Sequence, residues 1–200
     1  MVLHQEFVGR NLLRGAALAP YILPTVVAAF VWKWLLDASH GLVDAGLLAL
    51  GLPLVDWFGA YWTAWISIIF VSVWLWAPFV TITFLAGLQT VPDELYEAAE
   101  LDGAGRWHRF IHITLPVLKP VLMVIVLLRG IFMFSKFDII WLLTGGGPLQ
   151  ATETLPILAY RKTFATFDVG GGAAVACAMF LFMSGAMSLY FYLFPLDDSQ

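Results

Sequence analysis

From Trp57 to Pro92 the chain runs 36 residues without one charged side chain. About 20 apolar residues in an α-helix cross the hydrocarbon core of a bilayer. The run therefore predicts a membrane span at 61–88, with Trp57, Phe58, Tyr61 and Trp62 at the interface or the excess length taken up by tilt. Three more apolar segments predict further spans. The first, at 15–36, carries Lys33 beside a Trp32/Trp34 pair that suits an interfacial belt and a snorkelling lysine. Pro20 and Pro24 lie inside it and predict a bent helix. Another covers 117–143 and is the least apolar, since it contains Arg129, Lys136 and Asp138. The last covers 169–194, where Gly170, Ala174 and Ala178 form a small-residue face suited to close helix packing. With 61% of residues hydrophobic and 12% charged, against about 25% charged in soluble domains, the expected fold is all-α. It is a polytopic membrane bundle of about four helices forming one transmembrane domain, residues 1–200.

The exception is Asp93–Pro116, a polar, charge-dense segment between two spans. It reads as two short helices and a hinge. Thr90, with Asp93 three residues on, suggests a weak capping box. Leu95, Ala98, Ala99 and Leu101 make a stripe beside Glu94, Glu97 and Glu100. Gly103 and Gly105 interrupt the pattern, as glycines do at helix ends. A second helix at 106–114 groups Trp107, Phe110 and Ile111, and Pro116 marks the junction with the next span. Such a unit, half apolar and too short to span, suits a knob in a partner's groove. Its acidic first helix would be repelled by anionic lipid, which favours a protein groove. The extramembranous stretch 37–60 holds a helical turn expected at 47–54, and 145–168 forms a second loop on that side.

Glu97-Ala98-Ala99, three residues, Gly103, nine residues, then Ile113-Thr114-Leu115-Pro116 resembles the EAA loop of bacterial ABC-importer permeases. Phe137-Asp138, Leu143-Thr144-Gly145-Gly146-Gly147-Pro148 and Thr152-Glu153-Thr154 resemble the sugar-importer branch, of the maltose- and glycerol-phosphate-type first permease. The resemblance implies a multi-pass protein of the bacterial inner membrane, with the 93–116 loop and both termini in the cytoplasm. Arg and Lys, five inside against three outside, lean the same way. It implies ABC ATPase subunits that bind the ATP, a second permease, an extracytoplasmic solute-binding protein near the Gly145–Pro148 loop, and a sugar as cargo. The ATPase-docking set becomes Glu97, Ala98, Ala99, Asp102, Gly103, Ala104, Ile113, Leu115 and Pro116. Here Glu97 helps hold the docked loop, the alanines allow close approach and Gly103 makes the turn. ATP-driven closure of the ATPase would then transmit a rigid-body movement to the spans. Family members carry about two further spans before the position of Met1, so the chain is expected to be short at its N-terminus.

A charge near mid-bilayer should face the bundle interior or a wet cavity. Arg129 is such a residue, and Arg129, Phe137 and Asp138 are the candidate substrate-pathway residues. Lys136 shares the helix face of Arg129 while Asp138 lies opposite, and an interhelical ion pair is the plainer reading. Trp74 and Trp76 could stack on a sugar ring or simply pack. His108 and His112 have zinc-helix spacing, but Arg109 stands where a glutamate base is needed and no third ligand is evident, so no metal is expected. Neither Gly103-Ala-Gly105 nor the Gly145–Pro148 run completes a nucleotide loop. Cys177 is a lone cysteine in an apolar run, and no catalytic set or basic block points to an enzyme or to nucleic acid. The alternatives to an ATP-driven importer subunit are a truncated, non-transporting scaffold and an ion-coupled carrier.

Overall fold

The computed structural model describes residue 15 and residues 18–194, and no strand occurs among them. The expected first span is not a single bent helix. The chain is helical at 18–22, leaves the helix at Leu23 and Pro24, and restarts as α1, Thr25–Leu35. Pro24 has no N–H to donate and disfavours helical geometry at Leu23, so the segment breaks rather than bends. Lys33 is exposed on α1, and its Nζ donates to the carbonyl of Leu142, at 3.2 Å, far along the chain. A short helix, α2 at Leu42–Ala49, lies earlier than the turn expected at 47–54, and the chain leaves it through Gly51 at φ +72°. Its Asp44 is buried and accepts a 3.1 Å bond from Trp57 Nε1.

The uncharged run is one helix, α3, Tyr61–Leu88, continuous through the buried Pro78. The polar segment follows as α4, Asp93–Leu101, and α5, Arg106–Arg109. Thr90 does not cap α4: its hydroxyl donates back to Gly87 O at 2.8 Å, and Pro92 stands at the N-cap. Beyond α5 no junction occurs at Pro116. The chain passes through a π turn, Phe110–Thr114, straight into α6, Leu115–Phe134. A wide turn at this point accommodates a proline that supplies no N–H to the preceding carbonyls. The result is one rod, Arg106–Phe134, of 29 residues.

The span expected at 117–143 is therefore displaced. It begins in the polar elbow and stops at Phe134, and Asp138–Thr144 forms a separate helix, α7. Asp138 sits in the first turn of α7, where the helix dipole favours a carboxylate. The 145–168 loop is also more structured than a connector. It holds α8, Leu155–Tyr160, and a second π turn, Arg161–Ala165, before α9, Val169–Leu193. Asp168 caps α9 by accepting from Gly171 N at 2.8 Å.

Among the described residues, α3, the α5–α6 rod and α9 are long and apolar enough to cross a membrane. Ala29 and Leu36 at α1, Ile68 and Val71 on α3, Ile139, Ile140 and Leu143 on α7, and Ile157 on α8 form the buried core. Most other large apolar side chains face outward, as lipid or further subunits require. Within α9 only Gly172 is buried, against Thr163 of the second π turn. Gly170, Ala174 and Ala178, the small face expected to pack, are exposed instead.

Candidate functional site

The elbow between α3 and α6 is closed by its own backbone. Gly103 N donates to Glu100 O (3.0 Å) and Ala104 N to Ala99 O (2.8 Å), the paired bonds of a Schellman ending. That ending places Gly103 at φ +76°, open to glycine without steric cost. By contrast, Gly105 has φ −65° and acts as the extended N-cap of α5. Two side-chain bonds cross the turn: Tyr96 to Thr114 between hydroxyls at 2.7 Å, and Arg109 to Glu100 at 3.3 Å. No residue of α4 is buried. Leu101 is 91% exposed and Trp107 73%, so the elbow presents two large apolar side chains to its surroundings. Trp107 stacks on Phe110 at 5.7 Å, and His108 on His112 at 3.9 Å.

At the other end of the rod, α3, α6 and α7 enclose a cavity of about 610 Å³. Its wall is mostly apolar, with Trp65, Ser72, Trp76, Thr81, Arg129, Lys136 and Thr154 as the polar or aromatic exceptions. Both cations sit over the Trp76 ring, Arg129 at 5.0 Å and Lys136 at 4.5 Å from its centroid. Such contacts stabilise a cation held away from water. Trp76 Nε1 and Thr154 Oγ1 are buried at this cavity without a hydrogen-bond partner. Buried polar atoms of this kind ordinarily find one, so these two are exceptions in the wall beside the two cations.

The family of binding-protein-dependent transport system inner membrane components matches residues 2–196. The chain belongs to that family. Among curated relatives of this chain, the trehalose/maltose transport system permease protein MalF of Thermococcus litoralis is 40% identical over 190 residues, covering 95% of this chain and 64% of the relative. The sulfoquinovosyl glycerol transport system permease protein SmoG of Agrobacterium fabrum is 36% identical, covering 93% and 60%. The diacetylchitobiose uptake system permease protein DasB of Streptomyces coelicolor is 37% identical, covering 90% and 55%. The chain thus spans less than two thirds of the length of these relatives. In fold it resembles a chain of a bacterial ABC transporter involved in import of the acidic polysaccharide alginate. The TM-score is 0.79 at 21% identity, over 96% of this chain and 70% of that one. The family is one of inner-membrane transport components, which is not an enzyme class.

The two residue sets from sequence fall at opposite ends of the rod. Glu97, Ala98, Asp102 and Gly103 are exposed, with Leu115 and Pro116, while Ala99, Ala104 and Ile113 are half-buried in the elbow. Of the pathway set, Arg129 lines the cavity. Phe137 turns away and stacks with Trp141 at 5.5 Å and Tyr160 at 5.1 Å. Asp138 does not face Arg129; it binds Lys136 at 3.2 Å. That pair spans two residues and forms because the helix is interrupted at 135–137, which helical spacing alone would not foretell. Trp74 packs edge-on against Trp32 (5.3 Å), and Trp76 alone of the tryptophan pair lines the cavity. The Tyr96–Thr114 bond does not stand out in the sequence, and Thr154 stands out there as part of a motif but not as a cavity residue. Both need the folded backbone to bring them to their partners.

Proposed function

We propose that this chain is a membrane-spanning permease subunit of an ATP-driven ABC importer for sugars or related small solutes. It provides part of the pathway and the coupling handle; the ATP is bound and hydrolysed by partner ATPase subunits. A second permease completes the pathway and an extracytoplasmic solute-binding protein delivers the cargo. The observation that carries this reading is the elbow. An exposed, backbone-closed helix-turn with Leu101 and Trp107 displayed is continuous with a membrane-length rod that ends beside a mostly apolar cavity carrying Arg129 and Lys136. A push on the elbow is therefore a push on the cavity wall. The sugar class is supported by relatives named for trehalose/maltose, diacetylchitobiose and sulfoquinovosyl glycerol transport. Aromatic and hydrogen-bonding groups at the cavity suit a polyhydroxylated ring.

In this reading the elbow is cytoplasmic, and the loops at 37–60 and 145–168 lie outside. An ion-coupled carrier needs a carboxylate free to take up the ion, whereas Asp138 is engaged by Lys136. That contact favours a solute pathway over a carrier. The test uses the complex co-expressed with its ATPase, in a Cys177→Ala background with Ala98→Cys. A short thiol cross-linker at position 98 should capture the ATPase subunit, and capture should change with ATP. Labelling of position 98 from the outer face of the membrane, with no ATPase captured, would refute the assignment.

A further inference from the structure

The elbow is a lever only if α4 moves with the rod, and packing does not ensure that, since α4 buries none of its residues. Among the described residues two side-chain bonds hold it across the turn. The Glu100–Arg109 pair is weak: Glu100 is 72% exposed, and exposed ion pairs contribute little and are screened by salt. The other is different in kind. Thr114 is 1% exposed and its hydroxyl meets the Tyr96 hydroxyl at 2.7 Å.

Thr114 differs from several other threonines at helical turns. The hydroxyls of Thr81, Thr83, Thr144 and Thr166 donate to the carbonyl four residues back, at 2.9 to 3.0 Å. That is the usual local option for threonine in a helix. For Thr114 that carbonyl belongs to Phe110, which accepts from the Leu115 N–H across the π turn. The extra residue in the turn re-aims the side chains beyond it, and such turns recur at functional positions. Here it turns the threonine between Ile113 and Leu115 toward the tyrosine that precedes Glu97, so the two ends of the docking segment close on each other.

We propose that the Tyr96–Thr114 hydrogen bond is the pin that makes the docking helix and the α6 rod one rigid body. Tyr96 and Thr114 are then positioning residues for coupling. The inference rests on the proposed importer function and deepens it: docking captures the ATPase, and the pin transmits the movement.

The test uses the full complex with Cys177→Ala and spin labels at Ala98→Cys on α4 and at Val126→Cys, an exposed position on α6. The distance distribution is recorded without nucleotide and with ATP. With the pin intact it stays narrow in both states. Tyr96→Phe and Thr114→Val should each raise the out-of-register fraction about threefold to tenfold, the factor one net hydrogen bond represents. Thr114→Ser, which keeps the hydroxyl, should stay narrow. The double variant Tyr96→Phe/Thr114→Val separates linkage from mere stability. Replacing both partners with apolar groups can leave stability nearly unchanged, so thermal unfolding should return toward the parent value while the distribution stays broad. Non-additive broadening in the double variant supports one shared bond. A narrow distribution in both single variants, or broadening that the double variant repairs, refutes the pin. Failure of the parent chain to co-purify with its ATPase refutes the importer function and the pin together; a co-purifying complex with narrow single variants refutes the pin alone.

Discussion

Gly103 and Gly105 stand two residues apart in the same turn, yet the backbone asks opposite things of them. Gly103 is at φ +76°, and a side-chain methyl there would meet no heavy atom within 4 Å. Substitution therefore carries a conformational cost and no steric one from neighbours. For an L-residue in the left-handed region that cost is about 1–2 kcal/mol, with valine above alanine because β-branching narrows the region further. Asparagine tolerates it better than either. One to two kcal/mol is a factor of about 5–30 between a closed and an opened turn. The order expected at position 103 is Gly, then Asn, then Ala, then Val, even though Asn is larger than Ala. Gly105, at φ −65° and ψ 162°, carries no left-handed cost; as an N-cap it should lose less on alanine than position 103 does and gain on serine. The assay is thermal unfolding of the purified complex alongside the fraction retaining bound ATPase. A ranking by size at position 103, or a larger loss at 105 than at 103, would refute the left-handed assignment of the turn.

Three other substitutions probe the remaining elements. Arg161 donates to Glu153 at 2.8 Å and to Gly145 O at 2.7 Å, stapling the outer loop. Arg161→Ala should cost about 1.5–3 kcal/mol, the scale of hydrogen bonds to a charged group, and make the 145–153 loop sensitive to protease added outside; Arg161→Lys cannot reproduce the fork and should recover little. At the cavity, Trp76→Ala removes the ring beneath Arg129 and Lys136 and should lower uptake while leaving ATPase co-purification intact. Asp168 has its carboxyl held below the ordinary range by the Gly171 N–H, with Lys162 assisting. A depressed pKa means the cap is fully effective above about pH 4 and fades as pH falls through the lowered value. Asp168→Ala should therefore lower the unfolding temperature at neutral pH and lose that difference in strong acid, whereas Asp168→Asn should keep most of the cap.

The membrane class is legible because hydropathy is a bulk property: 36 uncharged residues dictate a helix wherever they fall. The elbow is legible for another reason, since its turn is written in residues with special backbone demands, Gly103 above all. Proline is the harder symbol. Pro24 ends a helix, Pro78 lies within one, and Pro116 comes after a π turn that carries the helix through. Which outcome occurs depends on whether neighbours satisfy the freed carbonyls, and that is tertiary information. The same holds for the break at 135–137: helical geometry puts Asp138 opposite Arg129, and the interruption gives it to Lys136. Hydroxyl pairs such as Tyr96–Thr114 leave no periodic trace at all.

Gly87 joins the elbow to the cavity and carries the last prediction. A Cβ at Gly87 would come to 2.7 Å from Leu118 Cδ2 and 3.2 Å from both methyls of Val121. This is the close crossing of α3 with the rod, and Leu118 is fully buried, so it has little room to retreat. Leu118 is eleven residues from Trp107 on the elbow side and eleven from Arg129 on the cavity side. At roughly 1.5 Å per residue each arm is about 16 Å. A tilt of about 10° at the crossing then moves both ends by about 3 Å, enough to change what Arg129 and Trp76 enclose. Gly87→Ala gains about 0.5–1 kcal/mol of helix preference but overpacks the crossing by about 1–3 kcal/mol. The net should be a modest loss of stability, with uptake reduced more than ATPase binding because the pivot is spread while the docking face is untouched. Gly87→Leu should force the helices apart and abolish uptake. Uptake at the parent rate in Gly87→Leu, in a complex that still binds its ATPase, would show that the rod does not turn on this crossing.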